Sequence, residues 1–186
     1  MKNKSGKIIG LIVCLILCTF ISCSIYFSPY HQIERYYYGQ KEQLNQIVQT
    51  FRNLYTDSVA SVEYSLEEHS LIRNGENTKD IVDYNNDNIS SILEDLQNQY
   101  QSHSDYSPVF DTVNAVYDNS GNMLLYLVAQ RKAISKESNT SRFYYLVYID
   151  NGYSGHGSGL AIDESDITRK PFSDNWYTWS KDVPLG

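Results

Sequence analysis

The 186-residue chain has room for one ordinary domain and an anchoring segment, and its 41% apolar and 20% charged residues are typical of a globular protein. All three cysteines lie within the first 23 residues, which excludes a small domain stapled by disulfides. The formal net charge is −7, and this argues against nucleic-acid binding, which depends on cationic side chains that neutralise phosphates. The same acidity argues against a domain that lies flat on anionic lipid.

An uncharged apolar run of twenty residues occupies positions 8–27. At about 1.5 Å per residue, such a helix spans the roughly 30 Å hydrocarbon core of a bilayer. Lys2, Lys4 and Lys7 precede the run, and this positive flank predicts that residues 1–7 are cytoplasmic. The sequence therefore predicts a membrane anchor over 8–27 and a domain outside the cytoplasm over 28–186.

The end of this run offers an alternative to a membrane-spanning helix. Phe20-Ile21-Ser22-Cys23 resembles the lipobox of bacterial lipoproteins, with Ser24 after the cysteine, although Phe20 stands where leucine is usual. The resemblance implies that Cys23 carries diacylglycerol and becomes the mature N-terminus. Against it, Ile25-Tyr26-Phe27 prolong the apolar run, as an uncleaved helix would, and Cys23 is then only a small apolar side chain.

Two amphipathic helices are predicted after the anchor. The first has an apolar stripe at three- and four-residue spacing from Leu44 to Tyr55, and Gly39 is a point where it breaks or bends. The segment 58–66 fits both a strand and a continued helix, and its β-branched residues favour a strand. After a polar loop at 73–80, Asp87 is the expected N-cap of the second helix. The apolar stripe of that helix comprises Ile89, Ile92, Leu93, Leu96 and Tyr100.

From residue 109 the periodicity changes from helix to strand. Segments 113–117 and 123–131 flank an Asp-Asn-Ser-Gly turn and predict a β-hairpin. A third strand over 143–149 ends at Asn151-Gly152, a tight-turn signal. The second and third strands are apolar on both faces, as central strands covered on two sides are. The chain therefore predicts an α+β fold in which two amphipathic helices pack on an antiparallel sheet of three to four strands.

Residues 83–94 have oxygen donors at the spacing of an EF-hand-like calcium loop. The donors at loop positions 1, 3, 5 and 12 are Asp83, Asn85, Asp87 and Glu94. Two departures weaken the match, because Asn88 replaces the glycine of the sharp turn and Ser90 replaces an apolar residue. The alternative is an Asx-rich turn in which Asp87 caps the following helix.

The glycine- and serine-rich segment 152–159 is the candidate for catalysis. Ser154 or Ser158 beside His156 suggests a nucleophile and a general base, which would make the chain a small envelope hydrolase. The segment matches neither a phosphate-binding glycine motif nor G-x-S-x-G. A triad also needs an orienting acid and an oxyanion hole, so the alternative is a surface loop without chemistry, and no catalytic residue is assigned.

The aromatic tail is the candidate for recognition. Trp176, Tyr177 and Trp179 follow Asp174 and Asn175, and such a group stacks on sugar rings or anchors a protein partner. The alternative is that both tryptophans complete the core on the second face of the sheet. We expect a non-catalytic binding or interaction module at the bacterial cell envelope, with lipid around 8–27 and an envelope protein or glycan as partner. No cofactor is predicted.

The two kinds of anchor predict different masses for the protein extracted from membranes. An uncleaved helix leaves the full-length mass of the 186 residues. A lipoprotein loses the 22 residues before Cys23 and gains the mass of its acyl chains. Intact mass spectrometry distinguishes the two, and an unacylated mass that begins after residue 27 would contradict both.

Overall fold

The computed structural model describes residues 4–26, 28–57, 59–68, 70–74, 76–77, 89–95, 98, 107–108, 112–135, 140–154 and 171–184. The helices are α1 (Lys4–Tyr26), α2 (Pro29–Gly39), α3 (Lys41–Asn53) and a helical segment at 89–95, here α4. The strands are β1 (Ser61–Ser65), β2 (Ser70–Arg73), β3 (Glu76–Asn77), β4 (Ser107–Pro108), β5 (Thr112–Tyr117), β6 (Met123–Ser135), β7 (Thr140–Ile149) and β8 (Trp176–Pro184).

The strands form one antiparallel sheet in the order β3-β2-β1-β5-β6-β7-β8, and β4 pairs with the end of β6. The predicted α+β class and antiparallel sheet are confirmed. The predicted count of three to four strands is wrong, because the described residues contain six strands of at least four residues and two of two residues. The sequence signal fails at the short strands β2, β3 and β4 and at β8, where mixed polar residues hide the alternation.

The helix and strand boundaries follow local signals. Gln40 ends α2 by donating its backbone N–H to the carbonyls of Tyr36 and Tyr37, so of the break and the bend that the sequence left open at Gly39 the structure has the break. The amphipathic stripe of α3 is also confirmed, since Leu44 and Phe51 are fully buried. The segment 58–66, whose sequence fits both a strand and a helix, contains the strand β1. This agrees with the preference of its β-branched residues for strands.

Apolar cores lie on both faces of the sheet, as predicted for the central strands β6 and β7. Side chains alternate along a strand, so one set faces α2, α3 and α4 and the other set faces away from them. The larger core contains the buried residues of these helices, with Leu125 and Leu127 from β6. The smaller core contains Leu124 and Tyr126 from β6 and Val147 from β7, and no residue of a described helix.

A polar contact fixes α3 on the sheet. The Arg52 guanidinium donates from Nη2 to Asp150 Oδ1 at 2.6 Å and to the Tyr148 hydroxyl at 3.0 Å. The Tyr148 hydroxyl in turn donates to the same carboxylate oxygen at 2.8 Å, and burial raises the pKa of this phenol. Asp150 also accepts the backbone N–H of Met123, so one carboxylate joins α3, the start of β6 and the end of β7.

The apolar residues of α1 are exposed over positions 10–22, and Leu11 and Phe20 are among the most exposed. Within the part of the chain that the structure describes, no helix is both long enough and apolar enough to cross a membrane. Cys23 lies inside α1, and its side chain is outside the described residues.

The burial of the two tryptophans predicts unequal effects of their removal. Trp176 is fully buried, with its ring centroid 5.4 Å from those of Tyr37 and Tyr148, whereas Trp179 is half-buried. Trp176→Ala should lower the free energy of unfolding by about 3–5 kcal/mol, because it leaves a large cavity in the main core. Trp179→Ala should lower it less. Urea denaturation of the full chain in detergent measures both, and equal losses would contradict this assignment.

Candidate binding site

Cross-strand rows of side chains cover the face of β6, β7 and β8 that points away from the helices. Directly opposed residues of antiparallel strands share a face. One row is therefore Val128, Tyr145 and Trp179, and the next row is Tyr126, Val147 and Tyr177. These rows make the second face of the sheet aromatic from its centre to the strand β8.

The aromatic rings of these rows contact one another. Trp179 lies on Tyr145 with the ring centroids 4.9 Å apart, and Tyr145 meets Tyr126 edge-on at 6.0 Å. Burial raises the pKa of Tyr145, and burial together with nearby Glu63 raises that of Tyr126 to about 12. Both phenols are therefore neutral at physiological pH. The ring of Tyr145 packs against the half-buried ring of Trp179, and the ring of Tyr126 packs against that of Tyr145.

A polar pocket of about 510 Å³ lies beside Trp179. Its lining consists of Arg142, Trp179, Ser180, Lys181 and Asp182. Arg142 donates from Nε to Asp182 Oδ1 at 2.6 Å and from Nη2 to Oδ2 at 2.8 Å. This two-pronged contact raises the pKa of the guanidinium and lowers that of the carboxyl, so both groups stay charged. Their side chains are 43% and 47% exposed, so they can also reach a ligand.

β8 is the last strand in the sheet order, and its outer edge borders the pocket. The backbone N–H and C=O of Trp176 bond to Ser173 and Phe172, on the side away from β7. Backbone groups alternate between the two sides of a strand, so those of Ser180 and Asp182 also point outward. The exposed end of this edge carries charged side chains and finishes at Pro184, features that discourage the addition of another strand.

The three residues of the predicted recognition site divide between the two faces of the sheet. Trp176 faces the helices and belongs to the main core. Tyr177 and Trp179 face the opposite side and are half-buried at the margin of the smaller core. Pairing of β8 with β7 decides this division, which the mixed polar residues of 176–184 hide in the sequence. The same pairing adds Arg142, Lys181 and Asp182, which the sequence pattern did not indicate.

The predicted calcium loop lies mostly outside the described residues, which do not include Asp83, Asn85 or Asp87. Glu94 is exposed on α4. Among the residues that are described, no group of three or more His, Cys, Asp or Glu side chains could hold a metal ion. Calcium binding at this loop stays a prediction.

Of the candidate catalytic pair, His156 lies outside the described residues, while Ser154 is exposed after the turn that follows β7. Ser154 donates its backbone N–H to Asp118 Oδ2 at 3.0 Å and its hydroxyl to the same oxygen at 3.3 Å. Asp118 further accepts from the backbone of Ser120 and from both the backbone and the side chain of Asn122. The Asp118 carboxylate therefore joins the β5–β6 turn to the segment after β7.

These hydrogen bonds determine the charge of Asp118. Burial would raise its pKa, but the bonds from Asn122, Ser154 and Ser120 outweigh burial and lower the pKa to about 2. A carboxylate with that pKa accepts a proton poorly at neutral pH, so it is suited to holding the loop rather than to general base catalysis.

No protein-family model, curated protein or solved structure matches this chain. Its function is therefore inferred from the chemistry of the site. At the edge of β8 the structure brings together the supported ring of Trp179 on one face of the sheet, the hydrogen-bonding groups of Arg142, Ser180 and Asp182 on the other face, and an open pocket that all four line, which is the composition of a ligand-binding surface.

The role of Asp118 predicts a specific dependence of stability on pH. Its folded pKa of about 2 lies below the ordinary value of 3.8, so its contribution is present above about pH 4 and is lost as the pH falls towards 2. Asp118→Asn should lower the free energy of unfolding at pH 7 by about 1–3 kcal/mol, and the difference from wild type should shrink below pH 4.

Urea denaturation of the full chain in detergent at several pH values measures this effect. Asp57→Asn is the matched control, because Asp57 is exposed and the substitution is the same. A difference between Asp118→Asn and wild type that persists undiminished at pH 2 would contradict the assignment.

Proposed function

We propose that this protein is a non-catalytic binding module that is anchored in the bacterial cell membrane and binds an envelope glycan around Trp179. The anchor is the uncharged run 8–27, whose preceding lysines favour a cytoplasmic N-terminus. The exposed apolar side chains of α1, such as Leu11 and Phe20, favour an apolar environment around this segment. Anchoring through a helix or through lipid on Cys23 leaves the domain on the outer side.

The observation that carries the proposal is the half-buried Trp179 ring on Tyr145, which also lines a polar pocket. A sugar ring has an apolar face of C–H groups and a rim of hydroxyls. The indole of Trp179 fits the apolar face, and Lys181 on the same face of the sheet supplies a donor for the rim, while Arg142, Ser180 and Asp182 line the pocket from the helix side, across the edge of β8. Aromatic stacking next to planar charged groups is the combination that neutral and acidic sugars need.

A glycan fits this surface better than an added protein strand does. The outward backbone groups of β8 near Ser180 and Asp182 would have to pair with such a strand. Lys181, Asp182 and Pro184 occupy that part of the edge, and charges and proline are the features that block edge-to-edge pairing. A glycan that stacks on Trp179 and enters the pocket does not have to pair with the backbone groups at the edge of β8.

The non-catalytic part of the proposal is supported by Ser154. Its hydroxyl donates to Asp118 Oδ2, the carboxylate that holds the segment after β7 to the β5–β6 turn, so this serine is used to fix the loop. A hydrolase that uses Ser154 and His156 would require this carboxylate to release the hydroxyl first.

The two tryptophans allow a direct test of glycan binding. Trp176→Phe leaves Trp179 as the sole tryptophan, and Trp179→Phe leaves only the buried Trp176. Titration of the full chain in detergent with N-acetylglucosamine oligomers should shift the emission of Trp179 saturably, because stacking removes water from its ring. The variant that keeps only Trp176 should not respond.

Calorimetric titration of wild type and Trp179→Ala provides a second measurement that leaves the main core unchanged. We expect heat of binding from wild type, and about a tenfold or greater loss of affinity in the variant, since an aromatic anchor contributes more than about 1.4 kcal/mol. Absence of saturable binding by both methods up to about 10 mM glycan, an affinity of only about 3 kcal/mol, would overturn the proposal.

A further inference from the structure

The helix α2 lies along the strand β8 and contacts it near both of its ends. At the start of α2, the hydroxyls of Tyr30 and Ser180 are hydrogen-bonded at 2.8 Å. Towards its end, the buried ring of Tyr37 contacts that of Trp176, with the ring centroids 5.4 Å apart. The helix and the strand therefore run in opposite directions, and the first turn of α2 lies at the end of β8 that carries the pocket.

Tyr30 reaches the pocket through Ser180. The register partner of Ser180 is Tyr144 of the main core, so the Ser180 side chain lines the pocket on the helix face of the sheet. A serine side chain has three staggered rotamers, and the bond with Tyr30 selects one of them. A hydroxyl has one donor and two acceptor lone pairs, so Ser180 keeps hydrogen-bonding capacity for a ligand while it is bonded to Tyr30.

The packing of its ring fixes the position of the Tyr30 hydroxyl. The ring packs at the margin of the main core and meets the buried ring of Tyr144 edge-on, with the centroids 5.5 Å apart. Tyr144 is also hydrogen-bonded to Arg142, another residue that lines the pocket. Side chains that are locked by packing keep the geometry of a binding site. The helix side of the pocket is therefore built on α2 as well as on β7 and β8.

We propose that Tyr30 is a positioning residue of the glycan site, which holds the Ser180 hydroxyl for the ligand and so couples the pocket to the start of α2. This inference rests on the proposed function, because it takes the pocket as the glycan site. Tyr30 follows Tyr26, the last residue of α1, by four residues. Coupling between two sites is reciprocal, so a ligand that uses the held Ser180 also stabilises the start of α2, next to the apolar segment.

Calorimetric titration of the full chain in detergent with N-acetylglucosamine oligomers tests this role. Tyr30→Phe removes the hydroxyl and keeps the ring on Tyr144. We expect it to weaken binding about three- to tenfold, the net contribution of one hydrogen bond. In a Ser180→Ala background the same substitution should cause no further loss, because Tyr30 then has no hydroxyl to hold.

Tyr38→Phe is the matched control. It is the same substitution on the same helix, and it removes the hydroxyl that donates to the Phe172 carbonyl at 2.9 Å, before the opposite end of β8. It should leave the affinity for the glycan unchanged. Urea denaturation gives the folded fraction of each variant, so the affinities are compared for folded protein.

Hydrogen exchange over residues 28–36 at saturating glycan measures the reciprocal effect. The glycan should slow exchange in wild type and leave it unchanged in Tyr30→Phe. Equal affinities of Tyr30→Phe and Tyr38→Phe, additive losses in the double variant, or equal slowing of exchange in wild type and Tyr30→Phe would overturn the role of Tyr30 and leave glycan binding intact. Absence of binding by wild type would overturn the proposed function together with this inference.

Discussion

The two apolar faces of β6 and β7 are the constraint on which the rest of the structure depends. A strand that is apolar only on alternate residues has to be covered on one face. In β6 the adjacent residues Leu124 and Leu125 point to opposite faces and are both buried, so both faces have to be covered. The helices α2, α3 and α4 cover one side. On the other side β8 extends the sheet and contributes Tyr177 and Trp179 to a second, smaller core that contains no described helix.

The margin of that second core is where a binding surface arises. Rings such as Tyr145 are buried in the centre of the face, and the ring of Trp179 at the last strand is only half-buried. An outer ring with a rigid ring beneath it loses little conformational entropy when a ligand stacks on it, so the core itself prepares the site. The charged pair of Arg142 and Asp182 lies on the other face of the same strands, where antiparallel register sets these two residues opposite each other.

Carboxylates in this acidic chain have two different uses. Asp118 and Asp150 accept several hydrogen bonds each and hold the turns at one end of β5, β6 and β7. Asp182 instead stays half-exposed on a cation near the other end of β7 and β8. The end with the fixed turns is thus rigid and chemically satisfied, whereas the other end presents charge to its surroundings, next to Tyr30 and the chain that leads to α1.

Periodicity in the sequence by itself determined the α+β class, the helical stripe around Leu44 and Phe51, and the covered central strands, because these features depend on neighbours within one element. Periodicity and composition also drew attention to the aromatic tail, but they did not show that its residues divide between the two faces of the sheet. Only the tertiary structure decided that Trp176 enters the main core, that Trp179 stays half-buried at the margin of the smaller core, and that Arg142 pairs with Asp182. Those outcomes depend on strand register and pairing between distant segments, which hydrophobic spacing along the chain does not encode.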